Sequence, residues 1–273
     1  MVVCCLRWII WGALCSSTWA WNAQGHRIVV KLANNYLSPS ARIYLNHIQD
    51  THRLGGTSTS VSDASVWMDQ YYSPKYRFLR KLHYIQIPEG DARYFPKYKD
   101  KYDALFAIEY AVQILKSSQS TPLQKAFAMR VLIHVVADIH QPLHTINWYS
   151  ARYPHGDRGG NLVRIKKQHI ARNLHSFWDK GGGWLMGSVE DDTQKIKSLP
   201  YRPCSGNEKD WVQESHQLAV QKAYHYPHVK YQWDAYIEES QAITKTQIQA
   251  AACHLANIIE ELAKGEMRSR LWV

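Results

Sequence analysis

The sequence predicts a mainly α, single-domain fold with a small β-hairpin region. Apolar residues recur at helical spacing through most of the chain, and only two short stretches alternate as strands do. No internal repeat, low-complexity segment or composition break marks a linker. At 273 residues and 45% hydrophobic, the chain is long enough to bury one substantial core.

The first twenty residues, MVVCCLRWIIWGALCSSTWA, stand apart. They carry one charge, Arg7, then a short apolar run, then the small residues Thr18 and Ala20. That layout predicts a signal peptide spanning 1–20 and cleaved after Ala20; the apolar run is shorter than the ~20 residues of a membrane span. The domain would then be 21–273. Losing Arg7 lowers the net charge from +10 to +9, a balance that favours polyanions or an anionic surface. Of five cysteines, only Cys204 and Cys253 would remain; in an oxidising compartment they can pair if the geometry allows. No N-x-S/T sequon occurs, which points to bacterial rather than eukaryotic secretion.

After Ala20 comes WNAQGHRIVVKLANNYL. Its Ile28, Val29, Leu32, Ala33 and Tyr36 follow one helix face. Ser38-Pro39 fits the N-cap and first position of a second helix. VSDASVWMDQYY (61–72) reads as a third, with Asp63 a first-turn or capping acid and Asp69 behind the apolar Val66-Trp67-Met68. HYIQIP (83–88) alternates as a short strand. ALFAIEYAVQILK is helical, and Thr121-Pro122 opens a long helix through AFAMRVLIHVVADIH. YPHGDRGGN is loop, its adjacent glycines implying tight backbone beside a site. NLVRIKKQHI suggests the hairpin, and NLHSFWDK a short helix. GGGWLMGS and the stretch to Cys204 read as irregular. Two helices, 208–224 and 235–264, close the chain, with Gly265 a stop.

Within this frame His134 and Asp138 lie four apart on one helix face, and His144 follows just after Pro142. His175 and Asp179 repeat the spacing. Imidazole nitrogen and carboxylate oxygen are both zinc ligands. Two such pairs and a third histidine imply a site for several metal ions. No Cys-x-x-Cys occurs, so such a site uses His and acidic residues. His26 on its own is ordinarily a packed or solvated histidine.

Five separated pieces carry a resemblance: WNAQGH from Trp21, VWMD (66–69), LHYI (82–85), HVVADIHQPLH (134–144) with GDRGGN (156–161), and NLHSFWD (173–179). In these, running from 21 to 179 with a compatible helical tail to about 264, the chain resembles the S1/P1 nucleases, zinc-dependent secreted enzymes that act on single strands. The resemblance implies a phospholipase C/P1 nuclease-type fold with three Zn2+. Asp69, His83, His134 and Asp138 would hold one ion, and His144, His175 and Asp179 its neighbour. The α-amine and carbonyl of Trp21, with His26 and a shared Asp138, would hold the third. Asp69 would also orient the attacking water. Cleavage of single-stranded DNA or RNA at P–O3′ would leave 5′-phosphorylated products, with 3′-nucleotidase activity a further expectation.

The same resemblance makes Tyr84, beside His83, the ring that stacks on an unpaired base, and puts Lys180, after the last aspartate, at a base-contacting position. Both invite comparison with ordinary structural roles, since Tyr84 also suits a plain strand aromatic. The departures are Lys180 where fungal members carry Asn, Gln86 where an acidic residue is familiar, and Tyr72 where an Arg or Lys is common. Lys75 or Arg77 are the nearest cations to replace the last. Zinc-dependent phospholipase C shares the implied fold, but W-x4-H and H-x3-D at the two ends favour the nuclease. A non-catalytic zinc- or nucleic-acid-binding protein is disfavoured because a structural zinc site needs only four ligands. A monomer without stable membrane association, secreted or periplasmic, is expected.

Overall fold

The computed structural model describes residues 21–50, 60–70, 74–166, 168–200 and 204–270. The signal-peptide stretch and Tyr72 lie outside these. α1 (Ala23–Tyr36) is capped by Asn22, whose side-chain oxygen accepts from the Gly25 N–H at 3.1 Å. Its Ile28, Val29, Leu32 and Ala33 are buried, the face predicted from spacing. α2 (Pro39–Asp50) follows with proline at its first position.

The helix expected over 61–72 is two shorter ones, α3 (Val61–Ala64) and α4 (Trp67–Gln70). The break between them leaves the Ser65 carbonyl to accept from His134 Nδ1 at 2.7 Å. Asp63 keeps its capping role, exchanging hydrogen bonds with Ser60. Residues 74–83 form a tighter 3-10 segment ending at His83. β1 (Ile87–Gly90) therefore starts later than the alternation from His83 suggested. It pairs in parallel with β2 (Ile146–Tyr149), so the small sheet is not a hairpin. Over 161–170 the expected hairpin shrinks to one antiparallel bridge, Arg164 to Asn173. There the Gln168 side chain accepts from the N–H groups of Ile170 and Ala171, taking donors a ladder would need.

α5 (Ala104–Lys116) and α6 (Pro122–Asp138) match expectation, α6 opening on a full capping box of Thr121 and Gln124. From Met129 to Asp138 every α6 residue is buried, so this helix runs through the core rather than over it. α7 (Leu174–Asp179) is the predicted short helix. The following stretch is more ordered than its glycines implied: a 3-10 segment at Gly181–Met186, then α8 (Val189–Lys197). Ser188 caps α8, acids fill its first turn, and Lys195 and Lys197 its last. α9 (Glu208–Gln221) and α10 (Trp233–Arg270) complete the fold. α10 continues past Gly265, which does not take the positive φ of a helix-ending glycine.

The main core joins α1, α2, α5, α6 and α10. A second apolar cluster gathers Leu143, Ile146, Leu174, Phe177, Trp178 and Trp233. Cys204 and Cys253 form a disulfide linking the approach to α9 with α10. Closing that 49-residue separation removes about 4 kcal/mol of unfolded-chain entropy in the loop-closure account. Among the described residues no helix is long and apolar enough to cross a membrane.

Candidate metal centre

Six elements converge on one buried polar cluster. α1 supplies His26, α4 Asp69, the 3-10 segment His83, α6 His134 and Asp138, the turn Pro142–Thr145 His144, and α7 His175 and Asp179. All eight side chains are buried, with exposures from 0% to 6%. A cluster of this composition is costly in apolar surroundings unless its charges are met.

The ligating atoms fall into overlapping groups. His26, Asp69 and His134 bring one donor atom each within 4.8 Å of one another, as do His83, His134 and Asp138, and separately His144, His175 and Asp179. His83 Nδ1 lies 3.0 Å from Asp138 Oδ2 and 3.9 Å from Asp69 Oδ1. His134 Nε2 stands 3.4 Å from Asp138 Oδ2 and 3.6 Å from Asp69 Oδ1. His26 Nε2 approaches the other Asp138 oxygen at 3.3 Å, so Asp138 sits between His26 and the His83–His134 pair. The His26 and His134 rings stack at 4.0 Å. In the other group His175 Nε2 is 3.6 Å from Asp179 Oδ1, and the His144 and His175 rings lie 5.1 Å apart.

Backbone carbonyls fix three of these imidazoles. His134 Nδ1 donates to Ser65 O, His144 Nδ1 to His83 O and His175 Nδ1 to Gly159 O, each at 2.7 Å. A proton held at Nδ1 leaves the Nε2 lone pair for a cation, which is how ligating histidines are commonly oriented. The glycine pair noted in the sequence explains the last contact: Gly159 has φ +60, and a Cβ there would meet Leu143 O at 2.4 Å. The His144 and His83 backbones are also cross-braced, the Ile85 N–H donating to His144 O at 2.7 Å.

Trp21 is fully buried and seated beside this cluster by its neighbour. The Asn22 N–H donates to Asp179 O at 2.9 Å, and Asn22 Nδ2 to Leu185 O at 2.6 Å. Gly25 permits the seat, since a Cβ there would lie 2.7 Å from Trp21 Cβ. Tyr84 is half-buried next to His83, and burial raises its hydroxyl above the usual phenol range. Lys180 caps α7 but points its amine at Ile170 O, 2.8 Å away. Arg77 is exposed and faces an apolar cleft beyond the 74–83 segment. Lys75 and Tyr72 have no described side chains.

The sequence reading passed over Gln141. Its Nε2 donates to Asp179 Oδ1 at 2.7 Å while its Oε1 accepts from the Leu143 N–H at 2.6 Å. It is fully buried and stands between the two ligand-bearing turns. A glutamine inside HQPLH carries no spacing signal of its own; only its contact reveals it.

Four candidate donor atoms, His26 Nε2, Asp69 Oδ2, Asp138 Oδ1 and His144 Nε2, are buried without a hydrogen-bond partner among the described residues. Such atoms cost roughly 1–3 kcal/mol each when nothing satisfies them. Burial pushes His26 down to about 3, with His83 and Arg27 adding to it. It holds His134 and His144 well below the usual imidazole range. It lifts Asp138 and Asp179 well above the carboxylate range, and Asp69 to about 7 against the pull of His83. Divalent cations reverse this balance by restoring charge to the carboxylates and accepting the imidazole lone pairs. An all-nitrogen-and-oxygen donor set of this kind fits zinc.

Comparison with known proteins agrees with this geometry. The family model for S1/P1 Nuclease matches residues 21–264. Nuclease S1 of Aspergillus oryzae is 27% identical over 217 residues, covering 73% of this chain and 70% of that protein. Endonuclease 5 of Arabidopsis thaliana is 27% identical over 64% of this chain, and Nuclease P1 of Penicillium citrinum 28% identical over 58%. The matches span less than two-thirds of those last two proteins, 58% and 57% of their lengths. With the family model matched over most of its length and a buried histidine–aspartate cluster at its centre, this chain belongs to the S1/P1 nuclease family.

Proposed function

We propose that the mature chain, beginning at Trp21, is a secreted or periplasmic bacterial hydrolase. It cuts single-stranded DNA and RNA at P–O3′, leaves 5′-phosphorylated ends, and acts as a monomer with 3′-nucleotidase activity besides. The observation that carries this reading is the buried cluster of His26, Asp69, His83, His134, Asp138, His144, His175 and Asp179, held in a chain of the S1/P1 nuclease family. Nucleases of this family are metal-dependent. Three zinc ions suit three donor sets, two of which share His134, with the α-amine and carbonyl of Trp21 completing the one that includes His26. Zinc supplies a water acidified to a pKa of about 7 and neutralises the phosphate.

The chain's own residues do the rest. His134, His144 and His175 keep their Nδ1 protons on backbone carbonyls and so offer Nε2 in fixed directions. Asp138, with oxygens facing His26 on one side and His83 on the other, bridges two donor sets. Asp69 Oδ2 would accept a hydrogen bond from the attacking water and aim it at phosphorus, since that oxygen has no hydrogen-bond partner among the described residues. Three aspartates do not cancel three dications, so the site stays positive and draws in the phosphodiester. Tyr84 stacks an unpaired base at its edge, worth ~1–3 kcal/mol, which a paired base in a duplex cannot match. Signal-peptide removal at Ala20 matters chemically here: an amide nitrogen at Trp21 is no zinc donor, whereas a free amine is.

The test is hydrolysis of a single-stranded oligonucleotide by protein beginning at Trp21, read by mass spectrometry. Matched duplex, phosphatidylcholine and a chelator control run beside it. Chelator-sensitive release of 5′-phosphorylated fragments, faster from the single strand, is expected. Lipid cleavage without nucleotide release would overturn the reading.

A further inference from the structure

Beyond the metal centre, on the other side of the 74–83 segment, lies a cleft of about 890 Å³ between that segment, α5 and α6. Its floor is apolar and its walls are unusually aromatic for an exposed surface. Phe78, Tyr102 and Tyr110 are 57%, 60% and 52% exposed, although each is a large ring that a packed core would take up. An exposed apolar patch of this kind marks an interaction surface more often than a solvated one.

Two features say what fits it. Phe106 and Tyr110 lie four apart on one face of α5 and stack at 5.5 Å, and Tyr102, in the turn before the helix, stands edge-on to Phe106 at 5.0 Å. Along the rim stand Arg77 and Arg80, exposed and without an acidic partner among the described residues, and Lys81, paired with Asp100 at 2.7 Å. Exposed aromatic rings bordered by cations are the pairing that bases and phosphates of an unpaired strand require. The cleft also borders two of the elements that carry the candidate centre. Lys81 and Leu82 line it directly before His83, Val131 lines it three residues before His134, and Lys81 and Asp100 are near enough to the Tyr84 hydroxyl to act on it electrostatically.

We infer that this cleft is an accessory binding site for single-stranded nucleic acid, engaging nucleotides of the same strand whose scissile phosphate lies at the metal centre. The inference rests on the function proposed above and adds to it a preference for long strands. Bases leaving Tyr84 enter the cleft over Phe78 and the α5 ladder, and their phosphates follow Arg77 and Arg80. A dinucleotide is too short to reach both places; a dodecamer is not.

The experiment compares KM for a dinucleotide and for an oligothymidylate dodecamer, in the zinc-loaded enzyme and in the triple variant Phe78→Ser, Arg80→Gln, Tyr110→Ser. All three positions are surface-exposed, so the variant retains its packed interior. The wild type is expected to show a lower KM for the dodecamer, and the variant to lose about tenfold or more of that advantage, the scale of one or two lost stacked bases. Higher salt should shrink the wild-type advantage further than the variant's. Equal KM for both substrates in the wild type would overturn the accessory site while leaving the nuclease reading intact. An unchanged advantage in the variant, together with loss of binding to a twelve-carbon fatty acid, would overturn it in favour of an acyl-chain site. Failure of the wild type to cut either oligonucleotide would instead sink the nuclease reading, and the accessory site with it.

Discussion

His134 and His140 are two buried histidines six residues apart, and they do opposite things. Each holds its Nδ1 proton on a backbone carbonyl at 2.7 Å, His134 on Ser65 and His140 on Val136. The other nitrogen decides the outcome. His134 Nε2 faces Asp69, Asp138 and His83. His140 Nε2 meets His254 Nδ1 at 2.9 Å, with Trp211 stacked on His254 at 4.1 Å and no carboxylate in the group. A neutral imidazole pair can share a hydrogen bond without any added charge; imidazoles among carboxylates need a cation. Burial alone therefore does not make a histidine a ligand. The acids around its open nitrogen do.

The contrast is broken most severely at His134. His134→Ala should abolish measurable turnover, more than a hundredfold, and lower bound zinc, because removal of a ligand exceeds the 10–100-fold cost of disturbing its supports. Zinc content by elemental analysis and single-strand hydrolysis check it together. Full metal and full activity in that variant would mean the cluster is not the centre.

Gln141→Leu should cost about 10–100-fold in metal affinity or rate by releasing Asp179 Oδ1, while keeping the side-chain volume. Chelator competition measures the affinity, and Gln141→Glu, which preserves an acceptor for the Leu143 N–H, separates loss of the donor from loss of shape.

His140→Phe should leave zinc content untouched and cost stability only, about 1–3 kcal/mol, by stranding His254 Nδ1. Denaturant unfolding of the zinc-loaded proteins reads that difference. A fall in bound zinc comparable to that of His134→Ala would erase the distinction drawn between the two histidines.

The smallest effect is in pH. Asp69, lifted by burial to about 7, keeps its proton in the metal-free fold, whereas the unfolded chain releases it near 3.8. That contribution to metal-free stability is complete below about 4 and is lost as pH rises to about 7. A divalent cation bound there would take the proton's place as it leaves. The gap between zinc-loaded and metal-free melting temperatures should therefore widen from pH 4 to pH 7, with proton release on titration with zinc. A gap independent of pH would mean that Asp69 does not meet the metal.

Much of the site was readable before any coordinates. The i, i+4 pairs His134–Asp138 and His175–Asp179 need only helix geometry to share a face, and both lie on helices where expected. Five motif pieces in order carried the family. The supports were not readable. Gln141, the Ser65 carbonyl and the His83–His144 bracing are contacts between segments 38 to 69 residues apart, and no local pattern encodes a carbonyl's direction. The expected hairpin at 161–170 and the helical stop at Gly265 failed for the opposite reason: local preference pointed one way, and a side chain's competing hydrogen bonds or a glycine's retained right-handed backbone prevailed.

The sequence by itself determined the helical class, the two His-x-x-x-Asp pairs and the apolar face of α1, because these follow from backbone periodicity over a few residues. The tertiary structure alone decided which buried histidines face acids, which glutamine steadies Asp179, and that Cys204 reaches Cys253. Those outcomes depend on where distant segments stop against one another in a close-packed interior, and shifts of an ångström there separate a ligand from a neutral pair.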